Sequence, residues 1–165
     1  RQKKYWYANI DIALLYLGQI NNFENYKDVG KAELYINEIV DRNISVGYFL
    51  KAQLLVEINP KNNNEICENY RLAYDKGLGL AGVSLGAEYL TGKHCDKNYP
   101  KAFTIFSNLV NSSNDEIKIL SSTNLAYMYL NGLGVKKDIS KARQLYTYSA
   151  EKGYQPAADM LKKVE

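Results

Sequence analysis

Three groups of residues in this 165-residue chain carry the side-chain types that chemistry needs. The first is His94-Cys95-Asp96, which holds the imidazole, thiol and carboxylate of a thiol nucleophile with its base. A nucleophile, its base and the acid that orients the base must converge on one reacting atom, and residues adjacent in sequence point in different directions. Cys95 therefore reads as a structural thiol and His94 as a surface histidine. The second group is Asp11, Glu57 and Glu88, from which an acid–base pair could be drawn. Nothing in the sequence brings two of them together, and solvated helix faces account for such charges. The third is Gly77-Leu-Gly79-Leu-Ala-Gly82, which has the spacing of a dinucleotide-binding loop. That fingerprint follows a strand, whereas here a helix precedes it, so the segment reads as a turn between repeats. His94 is the only histidine, which excludes multi-histidine metal sites, and Cys67 and Cys95 lack the C-x-x-C spacing of a zinc site. A Cys67–Cys95 disulfide stays open. No catalytic, cofactor-binding or metal-ligating residue is expected.

The elements that must position these residues are helices, arranged as an internal repeat. At a shift of 40, Leu85, Tyr89, Leu90, Gly92, Lys101 and Ala102 fall on Leu125, Tyr129, Leu130, Gly132, Lys141 and Ala142. At a shift of 76, Tyr70, Lys76, Gly77 and Ala81 fall on Tyr146, Lys152, Gly153 and Ala157. At a shift of 110, Lys31-Ala32 meets Lys141-Ala142. In the best-formed copy, Leu125, Ala126, Tyr129 and Leu130 recur at helical spacing until Asn131-Gly132-Leu133-Gly134 breaks the helix. Asp138 and Ser140 offer capping oxygens to the next helix, whose apolar face is Ala142, Leu145, Tyr146 and Ala150, and Lys152-Gly153 closes it. The small Ala102 and Ala142 let the two helices of a unit approach closely.

Helices are expected near 5–19, 28–41, 45–57, 63–76, 80–91, 99–111, 115–131, 139–152 and 155–164. They form one domain of units 5–41, 45–76, 80–111 and 115–153, with a capping helix at 155–164 whose Lys162, Lys163 and Glu165 face water. The insertion Asn111-Ser112-Ser113-Asn114 lengthens one junction, and Asp115-Glu116 then start a helix extended by about one turn. No segment alternates as a strand.

Leu125-Ala-Tyr-Met-Tyr129-Leu-Asn-Gly132-Leu-Gly134-Val-Lys-Lys-Asp138-Ile-Ser-Lys141-Ala142-Arg-Gln-Leu-Tyr146, followed by Ala150-Glu-Lys-Gly153, resembles a Sel1-like repeat, a relative of the tetratricopeptide repeat. Unit three shares the pattern except at His94-Cys95, where the repeat has Gly-Val; units one and two are degraded. The resemblance implies an all-α fold, a right-handed α/α superhelical solenoid of about four helix–turn–helix repeats, whose first helices line a concave surface used for binding partners. Some relatives carry a cysteine pair in each repeat, and this chain does not.

Composition agrees with a packed domain: 46% of residues are hydrophobic, and fifteen tyrosines stand against four Phe and one Trp, as suits thin layers with wet edges. Twenty-one Lys and Arg against 18 Asp and Glu give +3, with the basic residues spread in ones and twos such as Lys3-Lys4, Lys136-Lys137 and Lys162-Lys163. That is not the concentrated stripe of a nucleic-acid binder. No apolar run is long enough to span a membrane. Asn43-Ile-Ser45 and Asn111-Ser-Ser113 are sequons by spacing alone. The chain opens on Arg1 rather than Met, as a trimmed chain or a mature protein without its leader would, which leaves a bacterial periplasm or cytoplasm open.

The expected function is a non-catalytic adaptor or scaffold that binds another protein, a folded domain or a peptide segment, on the concave face. The candidate contact residues are Ser84, Glu88 and Thr91 in unit three, Asn124, Tyr127, Met128 and Asn131 in unit four, and Phe49 and Gln53 in unit two. An immunity or inhibitor protein that neutralises a bacterial secreted toxin is the narrower alternative, and an enzyme using His94 and Cys95 the remaining one.

Overall fold

The computed structural model describes residues 6–22 and 24–164; Lys3-Lys4, the Tyr5 start expected for the first helix, and Glu165 lie outside the described residues. Among the described residues the chain is all-α, with no strand. Its helices are α1 (Trp6–Tyr16), α2 (Val29–Asp41), α3 (Ser45–Ile58), α4 (Asn63–Asp75), α5 (Gly79–Thr91), α6 (Tyr99–Leu109), α7 (Asp115–Asn131), α8 (Ile139–Glu151) and α9 (Gln155–Leu161). A 3-10 turn, Glu24–Tyr26, lies between α1 and α2. The backbone forms two compact units, Arg1–Ala81 and Gly82–Glu165. In the first, α1 packs on α2, α2 on α3 and α3 on α4; in the second, α6 packs on α7, α7 on α8 and α8 on α9.

Three of the four hairpins are closed by the same set of contacts. The amides of Asp28, Asn98 and Asp138 donate to the carbonyls of Tyr16, Tyr89 and Tyr129, at 2.9, 2.8 and 2.9 Å. The side chain of each of those cap residues then accepts from the amide three residues on, of Lys31, Lys101 and Lys141, at 3.0, 3.0 and 2.9 Å. That satisfies donors which the start of a helix would otherwise leave bare. The same lysines return over the tyrosine rings, each with its ammonium 5.2 Å from the ring centre. At Asp28 the bond from the Lys31 amide holds the carboxyl below its usual range. Next in each helix comes a fully buried alanine, Ala32, Ala102 or Ala142.

The α3–α4 hairpin is built otherwise. Asn62 makes no side-chain cap bond; its amide donates to the Asn59 carbonyl and its side chain to Glu65, which also faces Lys51 at 3.7 Å. This is one of the two units in which the repeat pattern is degraded.

Inside a hairpin a small residue on the first helix lies under a large one on the second. A Cβ added to Gly86 on α5 would lie 2.6 Å from the ring of Phe106 on α6. In the next copy Ala126 and Tyr146 hold those places, in one buried cluster with Ala142 and Ala157. Helix α9 packs on this cluster through Ala157, and Lys162 and Lys163 are exposed. The inserted Asn114 caps α7 by accepting from the Ile117 amide, which gives α7 17 residues against 13 in α5.

Gly134 shows how closely successive loops fit. Its φ of +67° is left-handed, and a Cβ there would lie 2.7 Å from the Tyr99 carbonyl; at Gly153, φ is +85° but nothing lies within 4 Å. A side chain costs about 1–2 kcal/mol at either position through its backbone alone. Forcing apart packed backbone adds about 1–3 kcal/mol at Gly134 only. Gly134→Ala is therefore expected to destabilise more than Gly153→Ala by that margin in urea unfolding, and equal losses would contradict the fit of the loops.

Candidate functional site

Helix α5 carries Glu88 one turn before its end, so its carboxylate reaches over the loop that follows. One oxygen accepts from the His94 amide and the other lies 3.0 Å from His94 Nδ1. Both side chains are withdrawn from solvent, His94 to 3% exposure and Glu88 to 15%. The expectation of a surface histidine is thus corrected. His94 stands where the next copy has Gly134, and it avoids the left-handed backbone of that glycine. The imidazole instead turns inward, where Glu88 supplies the hydrogen-bond partner that a buried ring nitrogen requires.

Neither cysteine is a free thiol: Cys67 and Cys95 are both disulfide-bonded. The bonded state, which the sequence left open, agrees with a structural role for Cys95, and a bonded sulfur has no thiolate with which to attack. The remaining chemical candidates are engaged separately. Glu57 pairs with Lys27 at 2.5 Å, Asp11 borders an apolar hollow formed with Ile12, Leu15 and Ile20, and Glu88 holds His94. In the glycine segment, Gly77 adopts φ +88° at the exit of α4 and Gly79 opens α5, so the turn joins two helices. Among the described residues no group of His, Cys, Asp or Glu is arranged to hold a metal ion.

The row proposed on the first helices is divided by burial. Phe49 and Met128 are 7% and 0% exposed, so both are core residues, and their place in a contact surface is corrected. Phe49 packs its ring 5.9 Å from that of Tyr70. Gln53 is half-buried and accepts from Gln19 at 3.3 Å. Ser84 and Asn124 are half-buried, and Asn124 donates to the Leu120 carbonyl of its own helix at 2.8 Å. Thr91 and Asn131 are exposed at equivalent helix ends and bond back to Ala87 and Tyr127. Tyr127 is 42% exposed and neighbours the buried Tyr146 on α8. On α5 its place is taken by Ala87.

The structure adds two features the sequence reading did not reach. One is the Glu88–His94 clamp, whose signal was a histidine at a glycine position with a carboxylate six residues earlier. The other is the set of lysines on tyrosine rings, whose signal was the shared register of Tyr89 with Tyr129 and of Lys101 with Lys141. No described helix is long and apolar enough to cross a membrane.

Residues 80–107 and 120–154 match the Sel1 repeat family. Protein sel-1 homolog 2 of Homo sapiens is 37% identical over 76 residues, 46% of this chain and 11% of that protein. Its Mus musculus counterpart is 36% identical over the same share. The chain thus spans about a tenth of the length of these curated relatives. Among solved structures, a protective antigen of uropathogenic Escherichia coli strains displaying an SLR fold superposes with a TM-score of 0.80 at 19% identity, covering 94% of this chain and 32% of that one. A Sel1 repeat protein from Oxalobacter formigenes gives 0.79 at 22% identity, covering 96% and 62%. Helicobacter pylori cysteine rich protein B gives 0.57 at 23% identity, covering 82% and 96%. These likenesses show the fold, an α/α repeat solenoid.

Two outcomes follow from the site. Unreduced protein unfolded in denaturant is expected to show no thiol to a colorimetric reagent and two after reduction; thiols present before reduction would contradict the bonded state. Burial, and then the neighbouring Tyr127, push the Tyr146 hydroxyl up to about 12 from 10.0. A group whose pKa is raised by folding stabilises the fold fully below its unfolded pKa and loses that contribution as pH rises towards the folded value. Tyr146 is therefore expected to withdraw ~3 kcal/mol between about pH 10 and 12. The fall in unfolding free energy over that window should be shallower in Tyr146→Phe, and identical slopes would contradict the assignment.

Proposed function

We propose that this chain, which matches the Sel1 repeat family over residues 80–107 and 120–154, is a non-catalytic scaffold that binds another protein through the first-helix row on α5 and α7. The observation that carries the reading is Tyr127, an aromatic side chain left 42% exposed on α7 between Asn124 and Asn131. Aromatic residues set among polar neighbours are the anchors that dominate binding energy in such contacts. Thr91 and Asn131 flank the row with polar groups already oriented by their own helices. Elimination supports it from the other side, since His94, Glu88 and Cys95, the residues with catalytic chemistry, are held in structural contacts.

The partner is a folded domain or a peptide segment, recognised by a wet, polar surface with one aromatic anchor. Both cysteines being bonded favours an oxidising compartment over the cytoplasm. An inhibitor or immunity protein is a narrower form of this reading, and it would additionally silence the activity of what it binds.

Affinity capture from the source organism tests the proposal. A partner recovered on the unaltered protein is expected to fall at least about tenfold on Tyr127→Arg, as for a central anchor worth about 2 kcal/mol or more. Asn131→Arg should also weaken recovery, with melting temperatures unchanged. A partner that survives both substitutions would show that the row is not the docking surface.

A further inference from the structure

Lysines that look scattered in sequence are gathered by the repeat. Residues 92–101 and 132–141, the α5–α6 and α7–α8 loops with the helix turns they feed, contain Lys93, Lys97, Lys101, Lys136, Lys137 and Lys141 against Asp96 and Asp138, a net charge of +4. The matching stretches of the first unit are neutral: residues 18–31 hold Lys27 and Lys31 against Glu24 and Asp28, and residues 59–66 hold Lys61 against Glu65. The whole excess of positive charge in the chain therefore lies in the second unit, on this edge.

The two loops are in contact. Gly134 sits so close to Tyr99 that a Cβ would clash with its carbonyl, which brings Lys136 and Lys137 beside the segment where Lys97 and Lys101 flank Tyr99. All six lysines are exposed. Of the six, only Lys141 has a carboxylate of the described residues within 4 Å, that of Asp138 at 3.9 Å. Three of the ammonium groups are held over rings, Lys97 on Tyr99 at 6.0 Å, and Lys101 and Lys141 on Tyr89 and Tyr129 at 5.2 Å each. A side chain already held in place loses less freedom on meeting a partner.

We propose that this edge docks an acidic segment of a partner protein, an extended stretch with Asp or Glu side chains every few residues. Uncompensated charge of one sign on a defined surface favours an oppositely charged partner. The patch has six lysines and no arginine, whereas the planar arginine fork is the side chain suited to phosphate. Asp96 and Asp138 interrupt it, which a segment with spaced carboxylates tolerates better than a continuous phosphate chain. The tyrosine rings between the ammonium groups give apolar contact to the stems of Glu side chains. This inference rests on the protein-binding reading, but not on the first-helix row.

Fluorescence anisotropy with a labelled peptide of about twelve residues, alternating Glu with Gly and Ser, tests it. Binding is expected at low salt and should weaken at least tenfold near 0.5 M salt, where exposed charges are screened beyond roughly 4 Å. The triple variant Lys93→Glu, Lys136→Glu, Lys137→Glu changes lysines that neither stack on rings nor cap helices, so it should keep its melting temperature and lose binding at least tenfold. Lys61→Glu, in the first unit, should bind as the unaltered protein does. None of these lysines belongs to the first-helix row, so failure here is distinguishable from failure of that row. No binding of the peptide, equal binding of its Gln counterpart, unchanged binding by the triple variant, or binding of a single-stranded oligonucleotide in place of the peptide would each overturn the proposal.

Discussion

A helix that stops must leave carbonyls without partners, and the helix that follows must begin with amides in the same condition. In three of the four hairpins one hydrogen bond answers both needs, from the cap amide of the second helix to the carbonyl of a tyrosine near the end of the first. It ties the return of the chain to a fixed point on the helix it has left. The cap carboxylate or amide then orders the first turn, the lysine of that turn covers the tyrosine ring, and the alanine after it lets the helices close. The small–large pairs Gly86–Phe106 and Ala126–Tyr146 fill the space that this closure leaves. Helix α7 shows that length is free to vary while the clamp is kept, since its additional turn lies at the end remote from Tyr129.

The clamp also explains which parts of the fold were legible in the sequence. Tyr129, Gly132, Asp138, Lys141 and Ala142 are local, spaced at fixed intervals and chemically distinctive, so the hairpin they make can be read from one strand of text. The helices accordingly lie within a few residues of their expected bounds. What a hairpin does with its neighbours is not local. Phe49 and Met128 sat at positions assigned to a binding surface, yet they are buried, because helical spacing separates faces without saying which of them a neighbouring helix will cover. His94 was misjudged for a related reason. Its polarity suggested solvent, and only the carboxylate reaching back from Glu88 makes its burial satisfactory.

The charges teach the same lesson in the opposite direction. Lys97 and Lys136 are distant in sequence and unremarkable in a count of basic residues, but the contact of Gly134 with Tyr99 places their loops together. A repeat thus converts modest local composition into a surface property. The residues with chemistry on offer serve as structure: Glu88 and His94 hold a loop, and both cysteines are bonded. Tyr127 and the polar ends of α5 and α7 remain turned outward, where rigid helices can present them to a second molecule.

The claim that first-helix positions of the second unit receive that molecule is tested most directly by amide NMR of the labelled protein titrated with a captured partner. Shifts concentrated at Ser84, Thr91, Asn124, Tyr127 and Asn131 are the predicted result. Shifts confined to α6 and α8, with those five amides unmoved at saturation, would contradict it.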